Sequence, residues 1–452
     1  MKHTKPLQSA RKLAWEILSK VEGGSSLLEL SLPETLQRSG LEIRDQKLAE
    51  KIIKGVLEER SHLEDHLAQC LTGKLRKLSK RVQTILRMGA YQILFLERVP
   101  HEVVVNESVK LAKQVTDRHQ ANLVNAVLRK LSTHQEKPKE LQLDTVEQIA
   151  KSLSHPEWII KRWIQQIGKD ETIALCNQNN RQWPLYARAN TLRCSPKELL
   201  EVFQNERVRA HNTEFESSCL IIEHLPMPLT ELTSFQNGLF IIQDISSVLM
   251  ASVLEAKPDE TILDLCSAPG GKTTLLAAHM KNTGSILAVD VSPERLKKVE
   301  ENCARLGVTN TKTLCCDART LTTESLYDRI LIDAPCTGLG TLGRKKDLRW
   351  NRKEEDLHKL QELQLQLLNH ASTLLKPSGV IVYSTCSIDS SENEDVVDAF
   401  LLNHTDFSRE PLAGLPKELC NERGEVRTWP HRHNMSGGFA SVLTSRHQAQ
   451  MP

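Results

Sequence analysis

TILDLCSAPGGKTT, residues Thr261–Thr274, is the stretch from which the rest of the chain is read. Ile262 to Leu265 form an apolar run that predicts a short buried strand, and Ala268, Pro269, Gly270 and Gly271 predict a tight turn opening into a helix. Those turn residues carry little or no side chain, so a ligand can approach the backbone, and the helix start that follows offers unpaired N–H groups. Strand, turn and helix in that order make the first βα unit of a doubly wound α/β domain, where nucleotide-type cofactors sit. A phosphate-cradling P-loop requires G-x-x-x-x-G-K-[ST]; Gly271-Lys272-Thr273 supplies its end, but Cys266 stands where the first glycine belongs. The dinucleotide fingerprint G-x-G-x-x-G is absent as well.

Four more apolar runs follow downstream. SILAVDVS carries Asp290 at its end, and the helix ERLKKVEENCARLGV after it is closed by Gly307. TKTLCCD ends in Asp317, and RILIDAPC ends in Asp333-Ala334-Pro335-Cys336. Past an amphipathic helix from Glu354 to Leu375 and a turn at Lys376 to Gly379, GVIVYSTCS runs to Cys386. These runs are continuous rather than alternating, as expected of parallel strands covered by helices on both faces. Ligands of such sheets lie beyond the strand carboxyl ends, which gathers Asp290, Asp317, Asp333 and Cys386 with the turn 266–272. A carboxylate after the second strand suits the two hydroxyls of a ribose, and one after the third suits an adenine amine. No basic cradle accompanies the turn beyond Lys272, so S-adenosylmethionine is expected in preference to NAD. Each aspartate taken singly also reads as a helix N-cap.

The pairs Pro335-Cys336 and Thr385-Cys386 are the sharper signal. Carbon 5 of a pyrimidine is a poor nucleophile, and a thiolate adding to carbon 6 makes it enamine-like and able to accept a methyl group. A base must then remove the carbon-5 proton so that the thiol can leave. One cysteine can be the nucleophile and a second group the base; the other reading is two inert buried thiols. A free thiol, with a pKa of about 8.5, is mostly protonated near neutrality, so a nucleophilic site must lower that value.

Upstream, Leu7 to Leu131 reads as helical throughout, with apolar residues three and four apart in RKLAWEILSKV, QKLAEKIIKGVLEE and KRVQTILRMGAYQILFLE. THQEKPKE, Thr133 to Glu140, is charged and predicts a linker. HPEWIIKRWIQQIG predicts a helix with Trp158 and Trp163 on one side. PLYARANTL, a helix around Pro196 to Phe203, and the strand-like CLIIE (Cys219 to Glu223) predict a small α+β domain. Arg188, Arg193, Arg207 and Arg209 of that region are candidates for phosphate contacts or simply solvated arginines.

With 452 residues, two or three domains are expected. Residues 1–140 hold 25 Lys+Arg against 17 Asp+Glu, a net of +8, while the remainder carries −6. That asymmetry suggests a polyanionic partner for the first third. No run reaches the length of a membrane span and MKHTKPLQSARKLAWEIL lacks the apolar core of a secretory signal, so a cytoplasmic protein is expected. Eleven cysteines without a C-x-x-C suggest thiols rather than a disulfide framework or a zinc site, and Cys420 with His431 and His433 reads as scattered loop residues, so no metal is expected.

ILRMGAYQILFLERVP, HEVVVNESV and NLVNAVLRKL resemble the NusB-like RNA-binding domain. CSAPGGK, VDVS, DAPCTGLGTLGRKKDLRW and YSTCSIDSSENE resemble the RNA cytosine-5 methyltransferases of the NOL1/NOP2/Sun family, and together with the NusB-like part the likeness spans nearly the whole chain. It implies a Rossmann-like class I methyltransferase domain at 238–447, preceded by an all-α NusB-like RNA-binding domain at 1–140 and a small α+β RNA-binding or linker domain at 141–237. It also implies methyl transfer from S-adenosylmethionine to cytosine carbon 5 in small-subunit (16S) rRNA, by a monomer. The cofactor would be held by Cys266, Ser267, Ala268, Pro269, Gly270, Gly271, Lys272, Asp290, Asp317 and Asp333. Cys386 would be the nucleophile, Cys336 would assist proton removal and product release, and Asp333 with Lys272 would orient or protonate the ring. DNA enzymes of this chemistry use the Pro-Cys cysteine as nucleophile, so the Thr-Cys cysteine favours RNA. Two departures stand out: Ser267 where alanine is usual, and Gly437-Gly438-Phe439 in a C-terminal loop where an acidic or bulkier residue is expected beside the glycine. The alternatives are a non-catalytic RNA-binding or antitermination-type factor on a degenerate scaffold, and the same chemistry on tRNA or DNA.

Overall fold

The computed structural model describes residues 9–22, 32, 35, 36, 38–133, 143–412 and 415–446. The expected linker falls outside this set beyond Thr133, which closes a helix, and so does residue 447. The chain divides into two compact units, one drawn from residues 1–180 and 344–353, the other from 181–343 and 354–452.

The first unit is helical among its described residues. Helices Ala10–Glu22, Ile43–Glu58, Arg60–Cys70, Lys80–Phe95, His101–Val115 and Arg118–Thr133 bury their three-and-four-spaced apolar residues in one core, with Leu13, Ile17, Ile52, Val56, Ile85 and Val124 among its members. Arg87 is buried within it and is neutralised by Glu22 at 2.8 Å and Glu64 at 2.7 Å. Val146–Ser152, Glu157–Ile167 and Lys169–Asn180 complete the unit. In Glu157–Ile167 Trp163 is buried and Trp158 only half-buried. Five residues along a helix turn a side chain by about 140°, so the expectation of a shared side fails. The segment 344–353, between two strands of the other unit in sequence, is also buried in this one. Arg349 Nη2 donates to Asn179 O at 2.7 Å, Lys346 Nζ donates to the same oxygen at 2.7 Å, and Trp350 Nε1 donates to Leu57 O at 2.7 Å.

The second unit contains two sheets. The smaller takes β1 (Leu185–Ala189), β2 (Arg209–Asn212), β3 (Cys219–His224) and β4 (Phe240–Ile242) in the antiparallel order β2-β3-β1-β4, with the helix Pro196–Asn205 packed through Leu199 and Phe203. That helix starts at a capping box between Ser195 and Glu198, with Pro196 in its first turn. The larger sheet carries β5 (Thr261–Leu265), β6 (Ser285–Asp290), β7 (Thr311–Cys315), β8 (Tyr327–Asp333) and β9 (Leu375–Thr385) in parallel, in the order β9-β8-β5-β6-β7. The order reverses at β5, whose neighbours are β6 and β8, and that switch point is where a ligand crevice opens. Antiparallel β12 (Gly438–Ser445) pairs with β9, and β10 (Phe407–Arg409) and β11 (Val426–Thr428) pair with β12. The Gly437-Gly438-Phe439 segment, expected as a loop, therefore leads into a strand whose opening glycines hide its β character. Among the described residues, no helix is long and apolar enough to cross a membrane.

Candidate active site

β5 ends at Leu265, and the chain turns at Cys266 into the helix Gly271–His279. Polar side chains from three directions hold the turn backbone. Arg295 Nη2 donates to Ala268 O at 2.6 Å, Asn302 Nδ2 donates to Pro269 O at 3.0 Å, and Arg188 Nη1 donates to Gly271 O at 2.8 Å. Arg188 also reaches Thr274 Oγ1 and Gln243 Oε1 and is wholly buried, so it braces the turn instead of meeting phosphates. Arg193 donates to Asn237 O and is tied to the small domain, while Arg209 is exposed. Burial among the site's aspartates pushes the Cys266 thiol up to about 12, which leaves it inert as a nucleophile. Ser267 Oγ is buried with no hydrogen-bond partner among the described residues.

The carboxylates lie at the strand ends. Asp290, almost fully buried, accepts from the Ala268 N–H at 3.2 Å and from the Ser292 N–H at 3.0 Å, so it ties the end of β6 to the turn after β5. Beside it Val291 is 70% exposed, an apolar side chain left open at a strand end. Asp317 is half-buried; its carboxylate caps the short helix after β7 and takes a fork of bonds from Arg319, at 3.0 Å from Nε and 2.6 Å from Nη2. Those bonds hold its carboxyl below the usual range. Lys272, buried at the start of the helix, donates to the carboxylate of Asp333 and to Ser384 Oγ at 3.2 Å. The last residue of β8 is thereby joined to β9 through one ammonium group.

Cys336 follows β8 and Cys386 follows β9, and the parallel register pairs Asp333 with Ser384. That register brings the two thiols into contact, with Sγ atoms 2.9 Å apart and no disulfide between them. Cys336 is buried and Cys386 partly exposed. The hydrogen bond to Cys386, and then burial, push the Cys336 thiol well above its ordinary value. Behind the thiols, Gly340 N–H donates to Cys386 O at 3.1 Å and Gly437 N–H to Gly340 O at 2.8 Å. A Cβ on Gly340 would lie 2.2 Å from Gly437 O, and one on Gly437 would lie 2.3 Å from Ile388 Cγ2, so these backbones meet only because neither residue has a side chain.

Asp264 was not singled out from the sequence, although an acid inside the apolar run TILDL is a visible signal. It is fully buried; Thr273 Oγ1 donates to its Oδ2 at 2.6 Å, and its Oδ1 has no partner among the described residues. Burial pushes its carboxyl up to about 7. Because that value lies above the ordinary one of about 3.9, the stability that the neutral form contributes is complete below about pH 4 and is lost as pH rises through about 7. Asp264→Asn should remove this loss, on the order of 2–4 kcal/mol. Thermal melts of both proteins from pH 5 to 8 test it, and identical pH slopes would contradict it.

A doubly wound sheet with a small-residue turn after β5, acids closing β6 and β8, and paired thiols after β8 and β9 is a Rossmann-like methyltransferase fold. Residues 251–444 match the family 16S rRNA methyltransferase RsmB/F, residues 8–133 the NusB family, and residues 155–228 the ferredoxin-like domain of the RsmF/B-like methyltransferases. The probable ribosomal RNA small subunit methyltransferase B of Bacillus subtilis (strain 168) is 32% identical over 448 residues, which cover 97% of this chain and 99% of that protein. This chain belongs to the RsmB/F methyltransferase family. Among solved structures, PH0851 is similar with a TM-score of 0.83 at 28% identity, covering 98% of this chain and 100% of that one. NSun6 from Pyrococcus horikoshii with SFG is similar with a TM-score of 0.58 at 25% identity, over 64% of this chain and 97% of that one.

Proposed function

We propose that this chain methylates carbon 5 of a cytosine in small-subunit (16S) rRNA, with S-adenosylmethionine as donor and Cys386 as nucleophile. The contact of two thiols from adjoining strand ends, beside the Lys272–Asp333 pair, carries this reading. A thiol held protonated by its neighbour donates a hydrogen bond, so Cys336 stabilises negative charge on Cys386, the more exposed sulfur.

The residues present fit the cofactor. The unpartnered Ser267 Oγ and the bare backbone of Ala268 to Gly271 offer polar contacts, Asp290 keeps acceptor sites for a ribose, and Val291 presents an apolar plate to a purine. Asp317 would take the adenine amine, and Cys266, Pro269, Lys272 and Asp333 complete the wall. When bound, S-adenosylmethionine supplies an electrophilic methyl on a sulfonium. The SFG-bound relative, SFG being an analogue of it, is consistent with this choice.

The chain's own residues do the rest. Asp333 accepts from, and Lys272 donates to, the polar edge of the cytosine, so charge pushed into the ring by addition at carbon 6 is met by a proton donor. Cys386 forms the bond to carbon 6, and carbon 5 becomes nucleophilic. Once sulfur is bound to carbon its charge is gone, and the main cause holding the Cys336 thiol up goes with it. The Cys336 proton passes to the half-exposed Asp333 carboxylate and on to solvent, the resulting thiolate takes the carbon-5 proton, the carbon–sulfur bond breaks, and Cys386 leaves as thiolate. The target base must be unstacked to reach this crevice, and the basic first third would grip the RNA backbone in the cytoplasm. Calorimetry should give a Kd for S-adenosylmethionine on the order of micromolar. Bisulfite sequencing of total RNA should show one 16S cytosine losing its methyl mark when the gene is deleted. Binding without any lost mark would leave a non-catalytic RNA-binding factor, and a mark lost from tRNA would move the substrate.

A further inference from the structure

Two consecutive residues hold the turns that carry the two thiols. Glu392 closes the short helix Ser390–Glu392, and Asn393 precedes the helix Glu394–Asn403; both are fully buried. Glu392 Oε1 accepts from the Thr337 N–H at 2.8 Å, and its Oε2 accepts from Thr337 Oγ1. Gln364 Nε2 donates to Glu392 Oε1 at 3.1 Å and to Pro335 O at 2.9 Å, so the residues before and after Cys336 are both fixed. Asn393 does the same for the other turn. Its Oδ1 accepts from Thr385 Oγ1 at 2.5 Å and its Nδ2 donates to Ser387 O at 3.1 Å, which fixes the residues on either side of Cys386. The Tyr383 hydroxyl donates to Glu392 O at 2.6 Å and ties the pair to β9.

Neither side chain touches the crevice in this set of bonds. A buried carboxylate is costly, and burial raises the Glu392 carboxyl, so a hydrophobic residue there would be the cheaper way to fill space. What the two polar residues add is direction: apart from the Gln364 amide, the side-chain bonds described end on backbone groups or hydroxyls flanking a reactive cysteine. Sulfur–sulfur contact depends on both turns at once, and a displacement of about 1 Å in a reacting group costs on the order of a hundredfold in rate.

We propose that Glu392 and Asn393 are positioning residues that set the spacing of Cys336 and Cys386, so that one thiol can donate to the other before addition and act as its partner afterwards. The proposal rests on the methyl-transfer reading for its rate consequences, while the spacing itself can be measured without turnover. Phenylarsine oxide bridges two thiols held close together, and peptide mass spectrometry locates the bridge. The full-length wild type should be bridged between Cys336 and Cys386. Asn393→Ala and Glu392→Ala should be bridged there at least tenfold more slowly, with S-adenosylmethionine binding within about twofold of wild type. Their kcat on RNA should fall about a hundredfold with KM nearly unchanged. Glu392→Gln, which keeps an acceptor for the Thr337 N–H, should recover most of that loss. Should the alanine variants fail to fold, Thr385→Val and Thr337→Val each remove the hydroxyl bond to Asn393 or Glu392 with little change of shape, and about a tenfold loss of kcat with slower bridging is expected. Bridging and kcat at wild-type levels in Asn393→Ala or Thr385→Val would overturn the proposal. If the wild type methylates no RNA, the functional reading fails, and the bridging rates alone still decide the clamp.

Discussion

Cys386→Ala is expected to lose methyl transfer by about 10⁴-fold or more while keeping its affinity for S-adenosylmethionine within about twofold. The size of the loss follows from the chemistry. Without a nucleophile at carbon 6, carbon 5 keeps its aromatic character, and neither the Lys272–Asp333 pair nor correct placement of the base can make it attack. Retained binding follows from the geometry, since the turn 266–272 is held by Arg188, Arg295, Asn302 and Asp290, none of which bonds to Cys386. The change is also mild for the fold, because Cys386 is only partly buried and its carbonyl, which Gly340 requires, is kept. Radiolabelled methyl incorporation with calorimetry on the same preparation reads both quantities. An alanine variant that methylates at the wild-type rate removes Cys386 from the role assigned to it.

For Cys336→Ala the expected result is the opposite in kind: one round of chemistry that does not finish. In the proposed mechanism addition and methyl transfer run through Cys386, which this variant retains without its stabilising thiol neighbour, whereas release needs the carbon-5 proton removed. With the neighbouring sulfur gone, that step should slow by about 10²–10⁴-fold, the usual worth of a positioned acid or base. Protein covalently joined to RNA should then accumulate and survive denaturing gels, with methyl incorporation stopping near one per enzyme. The substituted site is buried and small, so the loss of one sulfur removes little packing. Normal turnover without any adduct would show that another group takes the proton.

Much of the architecture was open to inspection in the sequence for a simple reason. β5, β6 and the ends of β8 and β9 are mostly buried, so each shows an apolar run near a chemically distinct residue, and SILAVD and RILID coincide with β6 and the end of β8; the edge strand β7 is mostly exposed. The antiparallel strands at the sheet's edge escaped notice because β12 opens on Gly438, chosen for close approach and not for strand propensity. Arg188 read as a candidate phosphate contact or a solvated arginine because nothing in PLYARANTL reveals that the turn carbonyl of Gly271, 83 residues on, needs a donor. Glu392 and Asn393 lay in YSTCSIDSSENE, a segment noted for its family likeness and not for these two residues; the parallel pairing of β8 with β9 sets the turns before them side by side, and both side chains are buried behind the cysteines. Residue types at strand ends were legible, whereas the long-range hydrogen bonds that aim them were not. The aspartates show the same limit: Asp290 closes β6 as expected, and Asp317 lies just past the end of β7 and caps the short helix after it, but their bonds to Ala268 and to Arg319 belong to the folded chain alone.

RNA carrying 5-fluorocytosine gives the most direct test of the central claim, that sulfur 386 bonds to carbon 6 of the target base. Fluorine at carbon 5 cannot leave as a proton does, so an adduct formed with it persists and its peptide can be sequenced by mass spectrometry. The expected peptide carries the nucleotide on Cys386. A nucleotide found on Cys336, or no adduct under conditions in which ordinary RNA is methylated, would contradict it.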